Sequence, residues 1–132
     1  MTRINVVPVK ELCDQHLLAE WREMPRLVKN FNSSINRKSK PFDITEIPNK
    51  YTLGKGHVKF FYNKFKFLYE RHLKLTNELK IRGFNLNFGV FDGFRFVGDV
   101  WYNDWTPSKE DLILNRQRLK IRMPKNAKWS KK

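Results

Sequence analysis

At 132 residues the chain fits one domain, and with 40% hydrophobic residues it can bury one core of that size. Lys and Arg number 27 against 13 Asp and Glu, a net charge of +14; this exceeds what solubility needs and points to a polyanionic partner, nucleic acid ahead of a membrane surface. Apolar runs fall short of the roughly 20 residues of a spanning helix, the N-terminus lacks a signal-peptide layout, and the single Cys13 precludes an intrachain disulfide, which suits a reducing cytoplasm.

Residues 10–31 read as a first helix. Leu17, Trp21, Met24, Val28 and Phe31 recur at three- and four-residue steps and share one apolar stripe. His16, Arg22, Glu23 and Arg26 fall on the other side. Pro25 removes the amide that would bond back to the carbonyl of Trp21, so a kink is expected beside Glu23. Residues 32–50 read as a loop, with Asn32-Ser33-Ser34, the basic run Arg37-Lys38-Ser39-Lys40 and two prolines.

A second helix carries Phe61, Phe65, Leu68, His72, Leu75 and Leu79 on its stripe and ends near Arg82-Gly83. His72 therefore belongs to the core. His57 lies ahead of Phe60-Phe61 and suggests structure; neither it nor the other histidines form a metal-ligand spacing with Cys13, so no metal and no cofactor is expected. Residues 84–105 hold eight aromatics without a helical period, as an aromatic-anchored loop or a short hairpin whose rings serve as core or as a stacking wedge. A third helix is expected from a Thr106 cap and Pro107, with Leu112, Ile113 and Leu119 facing the core and Pro124 stopping it. From residue 116 onward come eight basic residues and no acid, either a solvated tail or a set of phosphate contacts, the latter favoured by the net charge. The pattern is all-α: a compact single domain, 1–132, of three main helices with long irregular loops.

Several blocks carry a more specific signal: Met1-Thr2-Arg3-Ile4-Asn5, Asp14-Gln15-His16-Leu17, Ala19-Glu20, Arg22-Glu23, Pro25-Arg26, Gly56-His57-Val58, Phe60-Phe61-Tyr62, Arg82-Gly83-Phe84-Asn85 and Gln117-Arg118-Leu119. Through them the chain resembles the phage endonuclease V family, the pyrimidine-dimer DNA glycosylases with an attached abasic-site (AP) lyase. The N-terminal matches are mostly polar and lie off the apolar stripe, so shared helix packing does not account for them. The resemblance implies a metal-free monomer in a host cytoplasm acting on damaged double-stranded DNA. It would cut the base linkage on the 5′ side of a cyclobutane dimer and then cleave the strand by β-elimination.

The resemblance also assigns roles. The α-amine of Thr2, exposed once Met1 is removed, would be the nucleophile. An α-amine titrates near about 7.7–8.0, so a useful fraction is neutral at physiological pH, unlike a lysine. Glu23 would be the catalytic carboxylate. Arg3, His16, Arg22, Arg26, Arg118 and Arg122 would contact DNA, and Arg3 would also lower the pKa of the amine. Without the resemblance, Thr2 is a frayed terminus and Glu23 a surface acid pairing with Arg26. For His16, lesion contact and an ordinary hydrogen-bonded surface histidine stand level. Where the family has a tyrosine-rich tail, Trp129 is kept but Ser130-Lys131-Lys132 follow. Competing readings are the same imine chemistry on another damaged base, a silent DNA-binding relative, or an RNA-associated basic protein.

Overall fold

Pro25 does more than kink the first helix: it divides it. In the computed structural model, which describes residues 4–86 and 89–130, α1 runs Asp14–Glu23 and α2 runs Arg26–Ile35. The Met24 amide still bonds to the Glu20 carbonyl at 2.9 Å. One residue later Pro25 has no amide to offer, which frees the carbonyl of Trp21. His72 Nε2 donates to that carbonyl at 3.0 Å. A buried carbonyl must find a donor, and here a side chain from another helix supplies it.

The boundaries of this region differ from the sequence expectation at both ends. Val9–Glu11 forms a 3-10 turn, and α1 begins only at Asp14. At the other end Asn32, Ser33 and Ser34 are helical rather than loop. Ser34 Oγ donates to the Asn30 carbonyl at 2.9 Å, which satisfies the hydroxyl inside the helix. Ile35 meanwhile packs on the core four residues after Phe31.

His57–Phe60 forms the one-turn α3, and α4 spans Phe65–Ile81. Phe61 was expected on the second helix; it lies in the turn between α3 and α4, although it is fully buried. Non-helical backbone at Lys64 (φ −129°, ψ 38°) separates the two segments. The end of α4 matches expectation. Gly83 takes φ +93°, and the amides of Gly83 and Phe84 bond to the carbonyls of Lys80 and Leu79 at 3.0 Å, a Schellman closure that favours glycine.

The described residues of 84–105 form no α-helix and no strand pair. A 3-10 turn, Asp92–Phe96, lies against α4. Phe94 is fully buried, its ring 6.4 Å from Phe65 and 5.6 Å from His72. Phe84, Phe91, Trp101, Tyr102 and Trp105 pack against the core. Only Phe96 among the described rings of this segment is largely exposed, at 78%, so the segment is mostly structural. Phe31 anchors α2 here, with Tyr62, Phe65 and Trp101 rings at 5.3, 4.9 and 5.0 Å.

The last helix, α5, spans Lys109–Ile121 and is capped by Ser108, two residues beyond the expected Thr106. Ser108 Oγ accepts from the Asp111 amide at 3.1 Å, while Asp111 accepts from the Ser108 amide at 3.0 Å. This reciprocal box outcompetes the Thr-Pro start. Leu112 and Leu119 pack on the core as expected, but Ile113 is 46% exposed. The inward position between the two leucines belongs to Asn115, which is 1% exposed.

The basic C-terminal segment is not a free solvated tail. Lys128 accepts the Asp14 amide at 2.6 Å, the Trp129 ring donates to the Glu11 carbonyl at 3.1 Å, and the Ser130 amide and hydroxyl both bond to Asp14. Burial works to raise the Asp14 carboxyl, but the bonds from Ser130 and Arg82 outweigh it and hold the group below its ordinary value. The fold is all-α, with no strand among the described residues, and no helix among them is long and apolar enough to cross a membrane.

His72 gives this packing a pH signature. Its ring donates to Trp21 and accepts from the Phe91 amide at 3.2 Å, a pattern that requires neutral imidazole. Burial lowers its pKa, with the Trp21 bond opposing. The unfolded chain then takes up the proton first, so this contribution is complete above about pH 6.5 and declines as pH falls below that. Thermal melts by circular dichroism are expected to show Tm dropping from about pH 7.5 to about pH 5.5. In His72→Phe the slope should flatten although the protein is less stable throughout.

Candidate active site

Two helices present the same spacing toward one cleft. From α1 come His16, Ala19, Glu20 and Glu23; from α5 and its C-cap come Asn115, Arg118, Leu119 and Arg122. Each set follows i, i+3, i+4, i+7, the single face of a helix. The irregular arm before α1 contributes Ile4 and Asn5, and Leu53 closes the remaining side. The cleft holds about 280 Å³ and opens to solvent. One wall is acidic and the facing wall carries two arginines.

Beneath the cleft lies a buried polar network. Glu20, 2% exposed, accepts from Arg71 Nε at 2.6 Å and Nη2 at 3.2 Å. Its Oε1 also accepts from Asn5 Nδ2 at 2.8 Å. Arg71 reaches on to the Val7 carbonyl at 2.7 Å. Asn115 Nδ2 donates to Asn5 Oδ1 at 2.9 Å, and its Oδ1 accepts from the Val6 and Val7 amides at 2.7 and 3.2 Å. The Ile4 amide donates to His57 Nε2 at 2.8 Å, so the other ring nitrogen donates to the Thr52 carbonyl at 2.7 Å. Every residue of the arm from Ile4 to Val7 is thus held by a side chain from elsewhere in the chain. The amides of Ile4, Val6 and Val7 find side-chain acceptors without a sheet.

Glu20 and Glu23, one turn apart, differ in state. Glu20 is consumed by Arg71. Glu23 is half-buried and has no ion pair or side-chain hydrogen bond among the described residues. The pairing with Arg26 that would make it an ordinary surface acid is not formed. Across the cleft Arg118 Nε is buried without a hydrogen-bond partner among the described residues. A buried donor without an acceptor costs about 1–3 kcal/mol, a cost that an anion in the cleft would relieve.

The predicted site residues fall into three groups. Glu23, His16, Arg118 and Arg122 converge on the cleft. His16 fits both of its readings, since it lines the cleft while its Nε2 donates to the Arg122 carbonyl at 3.1 Å. Arg22 and Arg26 are exposed on either side of the Pro25 break and do not line the cleft. Thr2 and Arg3 lie outside the described residues. Sequence reasoning gave no role to Asn5, Glu20, Arg71 or Asn115. The available signal was a polar residue at an apolar position: Asn115 stands between Leu112 and Leu119, and Arg71 between Leu68 and Leu75. Among the described residues no three His, Cys, Asp or Glu side chains are grouped to hold a metal ion.

Net charge +14 and a cleft in which a carboxylate without an ion pair among the described residues faces two arginines fit a helical protein that meets a polyanion. The sequence model of the pyrimidine dimer DNA glycosylase family matches residues 1–92, and the chain belongs to that family. It is therefore a DNA-repair glycosylase with DNA as its substrate.

Arg71→Met is expected to destabilise the protein by about 3–5 kcal/mol in urea melts, because Glu20 is left charged and buried. Adding Glu20→Met should recover much of that loss. Arg118→Ala should weaken DNA binding about equally across sequences and reduce the slope of log K against log salt by about 1. Titrations of fluorescent duplexes over a salt series measure this.

Proposed function

We propose that this chain is a bifunctional glycosylase and AP lyase for cyclobutane pyrimidine dimers in duplex DNA, with the α-amine of Thr2 as nucleophile and Glu23 as the catalytic carboxylate. Membership of the family supports the substrate class. The observation that carries the mechanism is Glu23, a carboxylate without an ion pair among the described residues, in a cleft lined by the N-terminal arm. Ile4, two residues after the proposed nucleophile in the sequence, lines that cleft together with Glu23.

The neutral amine nitrogen attacks C1′ of the 5′ nucleotide of the dimer. The glycosidic bond breaks and its electron pair leaves with the base, while Glu23 stabilises positive charge at the sugar. Loss of amine protons and opening of the ring give an imine. The imine acidifies the C2′ proton; Glu23 accepts it, and the C3′–O bond breaks with the phosphate as leaving group. Water then hydrolyses the imine and frees the amine. Arg118 and Arg122 hold phosphates from the α5 wall, Arg22 and Arg26 from the exposed side of the break, and Arg3 beside the amine. Reaching C1′ requires a bent duplex with an extruded nucleotide. The 1–132 chain acts as one domain and as a monomer, since both walls of the cleft come from this chain and α5 lies beyond the family match.

Borohydride trapping tests the proposal on the Met1-processed protein, with dimer, abasic and undamaged duplexes. A covalent adduct on the first two, mapped to Thr2, is expected. Glu23→Gln should keep dimer-specific binding within about threefold and lose strand cleavage by at least about 10²-fold. Wild-type cleavage by that variant would remove Glu23 from the chemistry. An adduct on the abasic duplex alone would keep the lyase and assign it another base.

A further inference from the structure

We infer that Asn115 is a positioning residue for the reaction: it locks residues 5–7, the base of the arm that leads to the amine, to the helix that carries the cleft arginines. The inference rests on the amine mechanism proposed above.

The geometry is that of a splint. Asn115 is 1% exposed in the middle of α5. One oxygen accepts two successive amides of the arm, Val6 at 2.7 Å and Val7 at 3.2 Å, while the nitrogen of the same side chain donates to Asn5 at 2.9 Å. Three consecutive residues of the irregular arm are thereby fixed by a single planar group. No sheet partner could do this, because the fold has no strand among its described residues.

The same helical face continues into the cleft. Arg118 and Arg122 lie three and seven residues further along, about 4.5 and 10.5 Å along the axis at 1.5 Å per residue. A phosphate seated on these arginines therefore sits at a set distance from the point where the arm is clamped. The arm's other holders, Arg71, Glu20 and His57, come from elements that carry no cleft arginine. Asn115 alone among them shares a helix with the phosphate wall. A shift of about 1 Å in a reacting group can cost about 10²-fold in rate, so a loosened arm impairs attack while leaving phosphate binding intact.

The test compares Asn115→Leu, of similar volume without polar atoms, with Asn115→Asp, which still accepts from the Val6 and Val7 amides. Three quantities are read: affinity for an abasic duplex, the single-turnover rate of borohydride-trapped adduct, and Tm. For Asn115→Leu we expect affinity within about threefold of wild type and an adduct rate lower by at least about 30-fold. Asn115→Asp should return the rate to within about tenfold of wild type. An unchanged rate in Asn115→Leu would overturn the inference and leave the amine mechanism standing. Affinity, rate and Tm falling together in both variants would overturn it as well, showing Asn115 to be structural only. If Asn115→Leu does not fold, the split between rate and affinity in Asn115→Asp against wild type decides between these outcomes. Absence of any Thr2 adduct in the wild-type protein would instead sink the amine mechanism, and this inference with it.

Discussion

The ion pair between Glu20 and Arg71 is the constraint around which the rest is arranged. Both groups are nearly sealed from water, at 1% and 6% side-chain exposure. Taking such charges out of water costs several kcal/mol each, recovered only when every lone pair and proton finds a partner in one geometry. Here the partners are the two ends of the pair, Asn5 and the Val7 carbonyl. That requirement fixes α1, α4 and the arm in a single register. It does so at the floor of the cleft, three residues from Glu23, which has no counter-ion among the described residues.

The basic residues divide into two populations. Arg71, Arg82 and Arg116 are committed to Glu20, to Asp14 and Glu78, and to Glu11. Arg82 ties the end of α4 to the start of α1, and Asp14 in turn holds Ser130. These arginines shape the molecule. Arg118 and Arg122 have no acidic partner among the described residues and face the cleft. In a chain of net charge +14, ion pairs thus hold arginines that build structure, while two arginines without an acidic partner among the described residues face the cleft, where a polyanion would lie.

Much of this was legible in the sequence, for reasons that are local. The apolar steps through Leu17, Trp21 and Phe31 and through Phe65, Leu68 and Leu75 gave the buried faces of the helices. Gly83 marked a helix end, and Pro25 a break next to Glu23. Errors came where two local signals competed, as with Thr106-Pro107 against the reciprocal Ser108–Asp111 box, or where a hydroxyl satisfied itself inside a helix, as at Ser34. The polar network was not legible at all. Arg71 meets Glu20 across 51 residues and Asn115 meets Val6 across 109; no period or motif encodes a hydrogen bond at that separation. The oddity of Asn115 on an apolar face was visible, but its partner was not. In the cleft, Glu23, His16, Arg118 and Arg122 came from a family resemblance rather than from spacing, and the matching i, i+3, i+4, i+7 ladders emerge only once α1 and α5 are side by side.

That separation of 109 residues between Val6 and Asn115 also bears on how the molecule comes into being. The arm is synthesised 109 residues ahead of its clamp. Until α5 is synthesised and docked, the amides of Val6 and Val7 have no acceptor, and the cleft lacks its arginine wall. A chain that stops short of α5 lacks both the clamp on the arm and the two arginines of the cleft. Arm and arginine wall are thus completed together, when α5 docks.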